Sequence, residues 1–123
     1  MRLFFILLFF LVSGLKGQSL EQIIPRDKQQ HFAVGAAVAG MTYITAYDYY
    51  YAQNPLTAHS KATKVTLGIN ITMAVLKELY DYERAKMSNT WNNNMINESL
   101  EDILATWLGG VSVTVVIRLE SGK

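Results

Sequence analysis

Three short polar segments interrupt an otherwise apolar chain and contain most of the side chains that could do chemistry. Their polar residues, in chain order, are Asp27, Lys28, His31, Lys77, Glu78, Asp81, Asp102 and Thr106. An imidazole or a carboxylate can act as a general acid or base, so His31, Glu78 and Asp81 are the candidate catalytic residues. The same three side chains with Asp102 are an acceptable ligand set for zinc, manganese or iron.

A purely structural role would account for much of the same pattern. Asp27 and Gln30 have the spacing of a capping box at the start of a helix, and Ser99 and Asp102 repeat that spacing. No metal-binding spacing such as His-Glu-x-x-His is present. We therefore predict no cofactor and expect His31 to hold helix ends together by hydrogen bonds. A divalent metal at the cluster is the alternative.

The elements that must position these residues are three long apolar helices. Apolar periodicity and turn residues predict them at about 27–52, 60–86 and 99–119. Their uncharged stretches are 32–47, 65–76 and 103–117. These runs are shorter than the ~18 apolar residues of a confident membrane span, yet they are more apolar than an ordinary half-buried helix. They favour membrane insertion or close membrane association over a free soluble bundle.

Short connections between long helices favour antiparallel neighbours, so we expect an all-α, antiparallel up-down-up three-helix bundle. The start of the first helix, the end of the second and the start of the third then share one end, where the polar residues would gather. Lys77 and Asp81 are four residues apart and can form an ion pair on one helix face. His59 has no partner pattern, and we expect it at the surface.

Four of the five glycines inside the predicted helices indicate close helix packing. They are Gly35, Gly40, Gly109 and Gly110. Glycine in a helix costs about 1 kcal/mol relative to alanine, so its presence there points to a packing requirement. Small residues spaced four apart let another helix approach closely, either within the chain or in a homo-oligomer.

The first residues have the pattern of an export signal. Arg2 precedes the apolar run 3–12, and small residues follow up to Gly17. We predict a signal peptide at 1–17, a polar lead at 18–26 and the helical domain at 27–119. Cleavage after Gly14, or retention of the segment as an anchor, remains an alternative. The expected location is the periplasm or the membrane of a bacterial-type envelope.

Composition excludes several classes of function. A length of 123 residues allows one domain, and 17% charged residues is low against roughly 25% in an average soluble domain. A net charge of +1 without a basic face gives no indication of nucleic-acid binding. The chain has no cysteine, which excludes disulfides, thiolate metal sites, a cysteine nucleophile and a lipid attached through cysteine.

The three polar segments together resemble a known family. Asp-Lys-x-x-His-Phe-x-x-Gly from Asp27, Lys-Glu-x-x-Asp from Lys77 and Asp-x-x-x-Thr-x-x-Gly from Asp102 are similar to the YfiM-like family of predicted periplasmic lipoproteins of unknown function. The opening segment is also similar to VanZ-like membrane proteins. The match covers 27–110, and the chain departs from the family in having no cysteine to carry the lipid. The resemblance implies a helical envelope protein, and it implies no activity. By resemblance the family's motif positions are Asp27, Lys28, His31, Phe32, Gly35, Lys77, Glu78, Asp81, Asp102, Thr106 and Gly109.

Two classes of function fit these observations best, and a soluble periplasmic bundle that binds a small apolar ligand between its helices is a third possibility. The first is an exported, membrane-associated helical protein with a structural or interaction role in the cell envelope. The second is an enzyme at the membrane surface, such as a metal-dependent hydrolase, with His31 or Glu78 as the base. Under the first, replacing either residue would lower folding and function together, whereas under the second it would abolish function in a folded protein.

Overall fold

A computed structural model describes residues 24–122, which form three α-helices. Helix α1 spans Arg26–Gln53, α2 spans Pro55–Met87 and α3 spans Asn94–Ser121. All three pack against one another, which confirms the prediction of an all-α helical bundle. The predicted signal peptide (1–17) lies outside the described residues, as does all but the end of the predicted polar lead (18–26).

Helix α2 begins at Pro55, five residues before the predicted start near 60. Proline has no N–H to leave unpaired in the first turn of a helix, so it begins α2 instead of interrupting it. The side chain of Asn54 accepts a hydrogen bond from the backbone N–H of Leu56 at 3.0 Å and caps the helix. Asn54 is therefore the whole connection between α1 and α2, where a short loop was expected.

Helix α3 also begins earlier than predicted, at Asn94 instead of Ser99. The side chain of Asn92 accepts hydrogen bonds from the backbone N–H groups of Asn94 and Met95, so an asparagine that was expected in the loop starts the helix. The predicted capping box from Ser99 to Asp102 is wrong, because both residues lie inside α3.

The capping role predicted for Asp27 is wrong as well. Pro25 occupies the N-cap position of α1, and no side chain caps this end. Asp27 lies in the first turn, where a carboxylate interacts favourably with the helix dipole. Asp27 therefore acts on the end of the helix through its charge.

Contacts between the helices define how they lie together. From α1 to α2 the pairs are Tyr43 with His59, Gly35 with Asn70 and His31 with Lys77, so the two helices meet in opposite chain order. From α1 to α3 the pairs are Lys28 with Asp102 and Ala36 with Val113, in the same chain order. The starts of α1 and α3 therefore lie at the same end as the last third of α2.

Apart from Tyr43 and Val113, the buried apolar residues of the bundle are small, and many of the large apolar side chains face outward. Buried small residues are Gly35, Ala36, Ala39, Gly40, Ala46, Ala58, Ala62, Thr66, Ala74, Thr106, Gly109, Gly110 and Thr114. Exposed large ones within the helices include Val34, Met41, Ile69, Ile71, Met73, Leu76, Leu100, Leu104, Leu108 and Val115. A water-soluble bundle has the reverse arrangement, because burial of large apolar side chains is what stabilises it.

Three of the four predicted packing glycines lie where two helices touch. A Cβ atom on Gly35 would collide with the backbone carbonyl of Thr106, and one on Gly109 would collide with that of Phe32. Gly110 faces the side chain of Asn70, and all these contacts are made within the chain. The backbones of α1 and α3 can approach this closely only because these positions have no side chain.

Candidate functional site

The polar residues singled out from the sequence lie together at one end of the bundle. We call the set Asp27, Lys28, His31, Lys77, Glu78, Asp81, Asp102 and Thr106 the polar cluster. Each helix contributes: α1 from its first two turns, α2 from its last third, and α3 from its third and fourth turns. The cluster lies at the edge of the uncharged stretches of the three helices, because charged residues begin where those stretches end.

His31 is the central side chain of the polar cluster and contacts both other helices. Its Nε2 lies 3.3 Å from Oδ2 of Asp102 and 3.3 Å from Nζ of Lys77. Its Nδ1 lies 3.2 Å from Oγ1 of Thr106, whose hydroxyl donates to the backbone carbonyl of Asp102 at 2.9 Å. The Thr106 oxygen therefore accepts from the Nδ1–H group of His31.

This geometry gives Nε2 of His31 two alternative partners. In the neutral ring Nε2 has a free lone pair, which accepts from the ammonium of Lys77. In the protonated ring the Nε2–H group donates to Asp102, and the imidazolium of His31 and the ammonium of Lys77 repel each other. When Nε2 gains a proton, His31 therefore loses its hydrogen bond with Lys77 on α2 and donates one to Asp102 on α3. This is the arrangement that a general base requires, since the nitrogen can gain and lose a proton while both states have partners.

Lys28 joins α1 to α3 through an ion pair with Asp102. Both side chains are largely buried, at 13% and 16% exposed, and Lys28 also lies 3.4 Å from Glu101 and 3.3 Å from the backbone carbonyl of Glu98. Burial alone would lower the pKa of Lys28, but the hydrogen bond and charge of Asp102 and the charge of Asp27 outweigh it and raise the pKa. Lys28 is therefore a permanent cation at this end of the bundle.

Lys77 has carboxylates on both sides along α2. Its Nζ lies 2.9 Å from Glu78 and 2.8 Å from Asp81, the pair that the spacing predicted. Burial lowers its pKa, and the hydrogen bonds and charges of these two acids reverse the effect and raise it. Glu78 is buried with 8% of its side chain exposed, whereas Asp81 is 43% exposed. The buried carboxylate is therefore the one that depends on Lys77 for its counter-charge.

The structure brings three of the four candidate metal ligands together. One ligand atom each from His31, Glu78 and Asp102 lies within 4.8 Å of the other two. Asp81 is not in this group; its carboxylate is 43% exposed and lies 2.8 Å from Lys77. An imidazole and two carboxylates suit zinc, manganese or iron. The ammonium groups of Lys28 and Lys77 already neutralise the two carboxylates, so a metal ion would have to displace them.

Asn70 is a site residue that sequence reasoning missed. Its side chain is fully buried and donates from Nδ2 to the backbone carbonyl of Gly35 at 2.9 Å, while its other side faces Gly110. Asn70 therefore links all three helices. Its Oδ1 has no partner among the described residues. The sequence did contain a signal: Asn70 is an amide within the uncharged run 65–76. An unpaired amide in an apolar environment is costly, so this position should have been expected to form a hydrogen bond with another helix.

The expectation that His59 lies free at the surface is wrong. Its Nδ1 lies 2.9 Å from the hydroxyl of Tyr43, and its ring centroid lies 4.4 Å from that of Tyr47. Burial, and then the charge of Arg118, lower the pKa of His59, so the ring is neutral at pH 7 and accepts a hydrogen bond from Tyr43. His59 thus fixes α2 to α1 at the end of the bundle opposite the polar cluster.

A groove of about 330 Å³ lies between α1 and α2 and reaches the polar cluster. His31, Lys77 and Thr106 line it, together with apolar side chains from both helices. A small molecule in this groove would therefore contact the imidazole that has two alternative partners.

Comparison with family models, with curated proteins and with solved structures finds no match to the chain.

Proposed function

We propose that the chain is an exported, membrane-associated protein with a structural or interaction role in a bacterial-type envelope. The observation that carries the proposal is the inverted distribution of side-chain size: alanine, glycine, threonine and asparagine fill most of the interior, with Tyr43 and Val113 as the large exceptions, and many large apolar residues lie outside. Lipid tails are as apolar as leucine, so helices in a bilayer associate through small residues and polar contacts and present large side chains to lipid. In water the same outer surface would favour aggregation.

Helix α3 supports membrane insertion most directly. By length and composition it is apolar enough to cross a membrane, and only 28% of its most apolar stretch is buried inside the bundle. The core helix of a soluble protein would be mostly buried. We propose an antiparallel up-down-up path whose uncharged belt, 32–47, 65–76 and 103–117, faces lipid.

The polar cluster then lies at one boundary of the belt, where water and lipid head groups meet. Its primary role in this proposal is to hold the ends of the three helices together. Four tyrosines at the end of α1 would lie at the other boundary, where amphipathic rings are common: Tyr47, Tyr49, Tyr50 and Tyr51. The predicted signal peptide and the resemblance to YfiM-like envelope proteins belong to the same proposal.

One experiment tests membrane insertion with a matched pair of variants. Leu108 is 50% exposed in the middle of the belt, and Leu119 is 69% exposed beyond it. In a bilayer Leu108→Lys should lower insertion by about 2.5–3.5 kcal/mol, and Leu119→Lys should have little effect because its ammonium reaches water. In a soluble bundle both changes are at exposed positions and should be nearly neutral.

The measurement is alkaline extraction of membranes from cells that make the full chain, with N-terminal sequencing of the mature protein. We expect protein that resists extraction and starts at Gln18, or at Leu15 if cleavage follows Gly14. Protein in the aqueous phase, with both lysine variants unchanged, would contradict the proposal.

The second candidate is a membrane-surface enzyme, and the proximity of His31, Glu78 and Asp102 favours it. A metal-dependent hydrolase would bind its ion between these three side chains. Metal analysis of purified protein tests this form: stoichiometric metal that is lost in His31→Ala supports it. Metal-free protein of normal stability removes the metal-dependent form and leaves acid–base chemistry at His31.

A further inference from the structure

The groove beside the polar cluster has one polar end and one apolar end. His31, Lys77 and Thr106 line the polar end. Val34, Val38, Met73 and Ala74 line most of the remainder, with the amide of Asn70 among them. On α1 the valines follow His31 by about one and two turns, and on α2 Met73 precedes Lys77 by one turn. Since α1 and α2 meet in opposite chain order, both apolar walls lie on the same side of the contact between His31 and Lys77.

We propose that this groove binds a lipid, with its hydrocarbon chain along the apolar walls and an uncharged polar head at the end formed by His31 and Lys77. The inference rests on the proposed membrane association, because the apolar end then opens into the acyl region. The polar end would lie at the membrane boundary. The polar and apolar ends of the groove therefore follow the order of the head and the tail of a lipid, and they have the same orientation in the membrane.

The charges of the polar cluster select the head group. The three N–H donors of Lys77 face His31, Glu78 and Asp81, at 3.3, 2.9 and 2.8 Å, so this ammonium has none left for an anion. The two lysines of the polar cluster, Lys28 and Lys77, contact five carboxylates: Asp27, Glu78, Asp81 and Asp102 of the cluster, and Glu101 beside it. A carboxylate or phosphate would be repelled, whereas a hydroxyl can exchange hydrogen bonds with the exposed amide of Gln30 at the groove edge.

A second groove provides an internal control. It measures about 170 Å³, lies between α2 and α3 and is lined by Leu67, Val111 and Val115 among others. Most of its lining is apolar, with Arg118 at its edge, and no residue of the polar cluster lines it. The comparison between the two grooves is therefore made with the alcohol probe, which carries no charge for Arg118 to attract. Lipid that merely surrounds the protein would occupy both grooves, and a specific lipid would occupy only the first.

The test uses the full chain in nanodiscs with two photoreactive probes of equal length, a long-chain alcohol and a long-chain fatty acid, each with a diazirine in the chain. Cross-linked peptides are mapped by mass spectrometry. We expect the alcohol to label the Val34 and Met73 peptides about fivefold more than the Val111 peptide, and about fivefold more than the acid does, as one net hydrogen bond predicts. Equal labelling of the two grooves, or equal labelling by the acid, overturns the inference.

Matched variants sharpen the result. Val38→Phe fills the first groove and should abolish the preference, whereas Val111→Phe fills the second and should leave labelling at Met73 unchanged. Circular dichroism verifies that each variant folds, and if Val38→Phe does not, the peptide map of the unchanged chain decides. If the protein partitions into water but the first groove is still labelled selectively, the groove binds a lipid and the proposed membrane insertion is wrong. If the protein is inserted in the membrane but both grooves are labelled equally, membrane insertion stands and the proposed lipid site is wrong.

Discussion

The two ends of the bundle each fix α1 to α2 through a histidine, and they do so by different chemistry. His31 lies among lysines and carboxylates, and one of its nitrogens has two alternative partners. His59 lies among tyrosine rings, and burial with the charge of Arg118 keeps it neutral. The first end is held by charges that a proton, an ion or a ligand could rearrange. Contacts at the second end include the hydrogen bond between Tyr43 and His59, the ring contacts, and the ammonium of Lys61, which lies 5.3 Å from the centroid of the Tyr50 ring.

The largest effect that would separate the two ends is expected from Asp102→Ala. This change leaves the buried ammonium of Lys28 without its main partner and removes one partner of His31, so the free energy of unfolding should fall by about 3–5 kcal/mol. Denaturant unfolding in micelles measures it. Asp81→Ala is the control, because that carboxylate is 43% exposed and its pair with Lys77 should be worth at most ~0.5 kcal/mol. Equal losses would mean that the cluster is not held by its buried pair.

The next effect concerns the close helix contact between the two ends. Gly35→Ala places a methyl group against the backbone carbonyl of Thr106, and the forced separation of α1 and α3 should cost about 1–3 kcal/mol. Gly68→Ala is the matched control, since a Cβ there meets nothing within 4 Å and alanine favours the helix by about 1 kcal/mol. Opposite shifts of the thermal midpoint are therefore expected. Shifts of the same sign would argue against tight packing at Gly35.

At the neutral end we expect a smaller loss from Tyr43→Phe. The change removes the hydroxyl that donates to His59 and leaves the ring in place, so stability should fall by about 0.5–1.5 kcal/mol. Thermal unfolding at pH 8 measures the loss with His59 neutral. Tyr49→Phe, at an exposed ring on the same helix, should cost nothing measurable.

The smallest effect is a difference in pH dependence between the ends. The pKa of His59 is lower in the folded protein than in the unfolded chain, so its neutral form stabilises the fold above about pH 6.5 and that contribution is lost as the pH falls through the folded pKa. Lys28 and Lys77 have raised pKa values, so their contribution is present below about pH 10.5 and is lost only above it. A stability profile of His59→Gln should lose the slope below pH 6.5 and keep the alkaline one. If the fall in stability below pH 6.5 is unchanged in His59→Gln, a titratable group other than His59 causes it.

The parts of the fold that depend on local sequence could be predicted, and the parts that depend on contacts between helices could not. Uncharged runs and an i,i+4 spacing are local, which is why the three helices and the pair of Lys77 with Asp81 agree with the structure. The helix starts were misplaced because Pro55 begins a helix as readily as it ends one, and only the side-chain bond of Asn54 decides between the two.

The composition of the polar cluster followed from connectivity, since three polar segments meet if neighbouring helices run in opposite directions. Connectivity did not predict which of these side chains would pair with one another. That Lys28 contacts Asp102, and that His59 contacts Tyr43, depends on how each helix is rotated about its axis. Small residues decide that rotation here, and the sequence contains too many of them to show which ones touch.

The single-residue connection at Asn54 has a consequence for how this sequence tolerates change. Each residue of an α-helix turns the chain by about 100°, and a one-residue joint has no slack to absorb an insertion. One extra amino acid between α1 and α2 would have to be taken up at this corner, or it would swing the alanine stripe of one helix away from its neighbour and bring isoleucine and methionine into its place. Length variation in this molecule should therefore collect in the asparagine-rich segment between α2 and α3, leaving the first corner invariant in length.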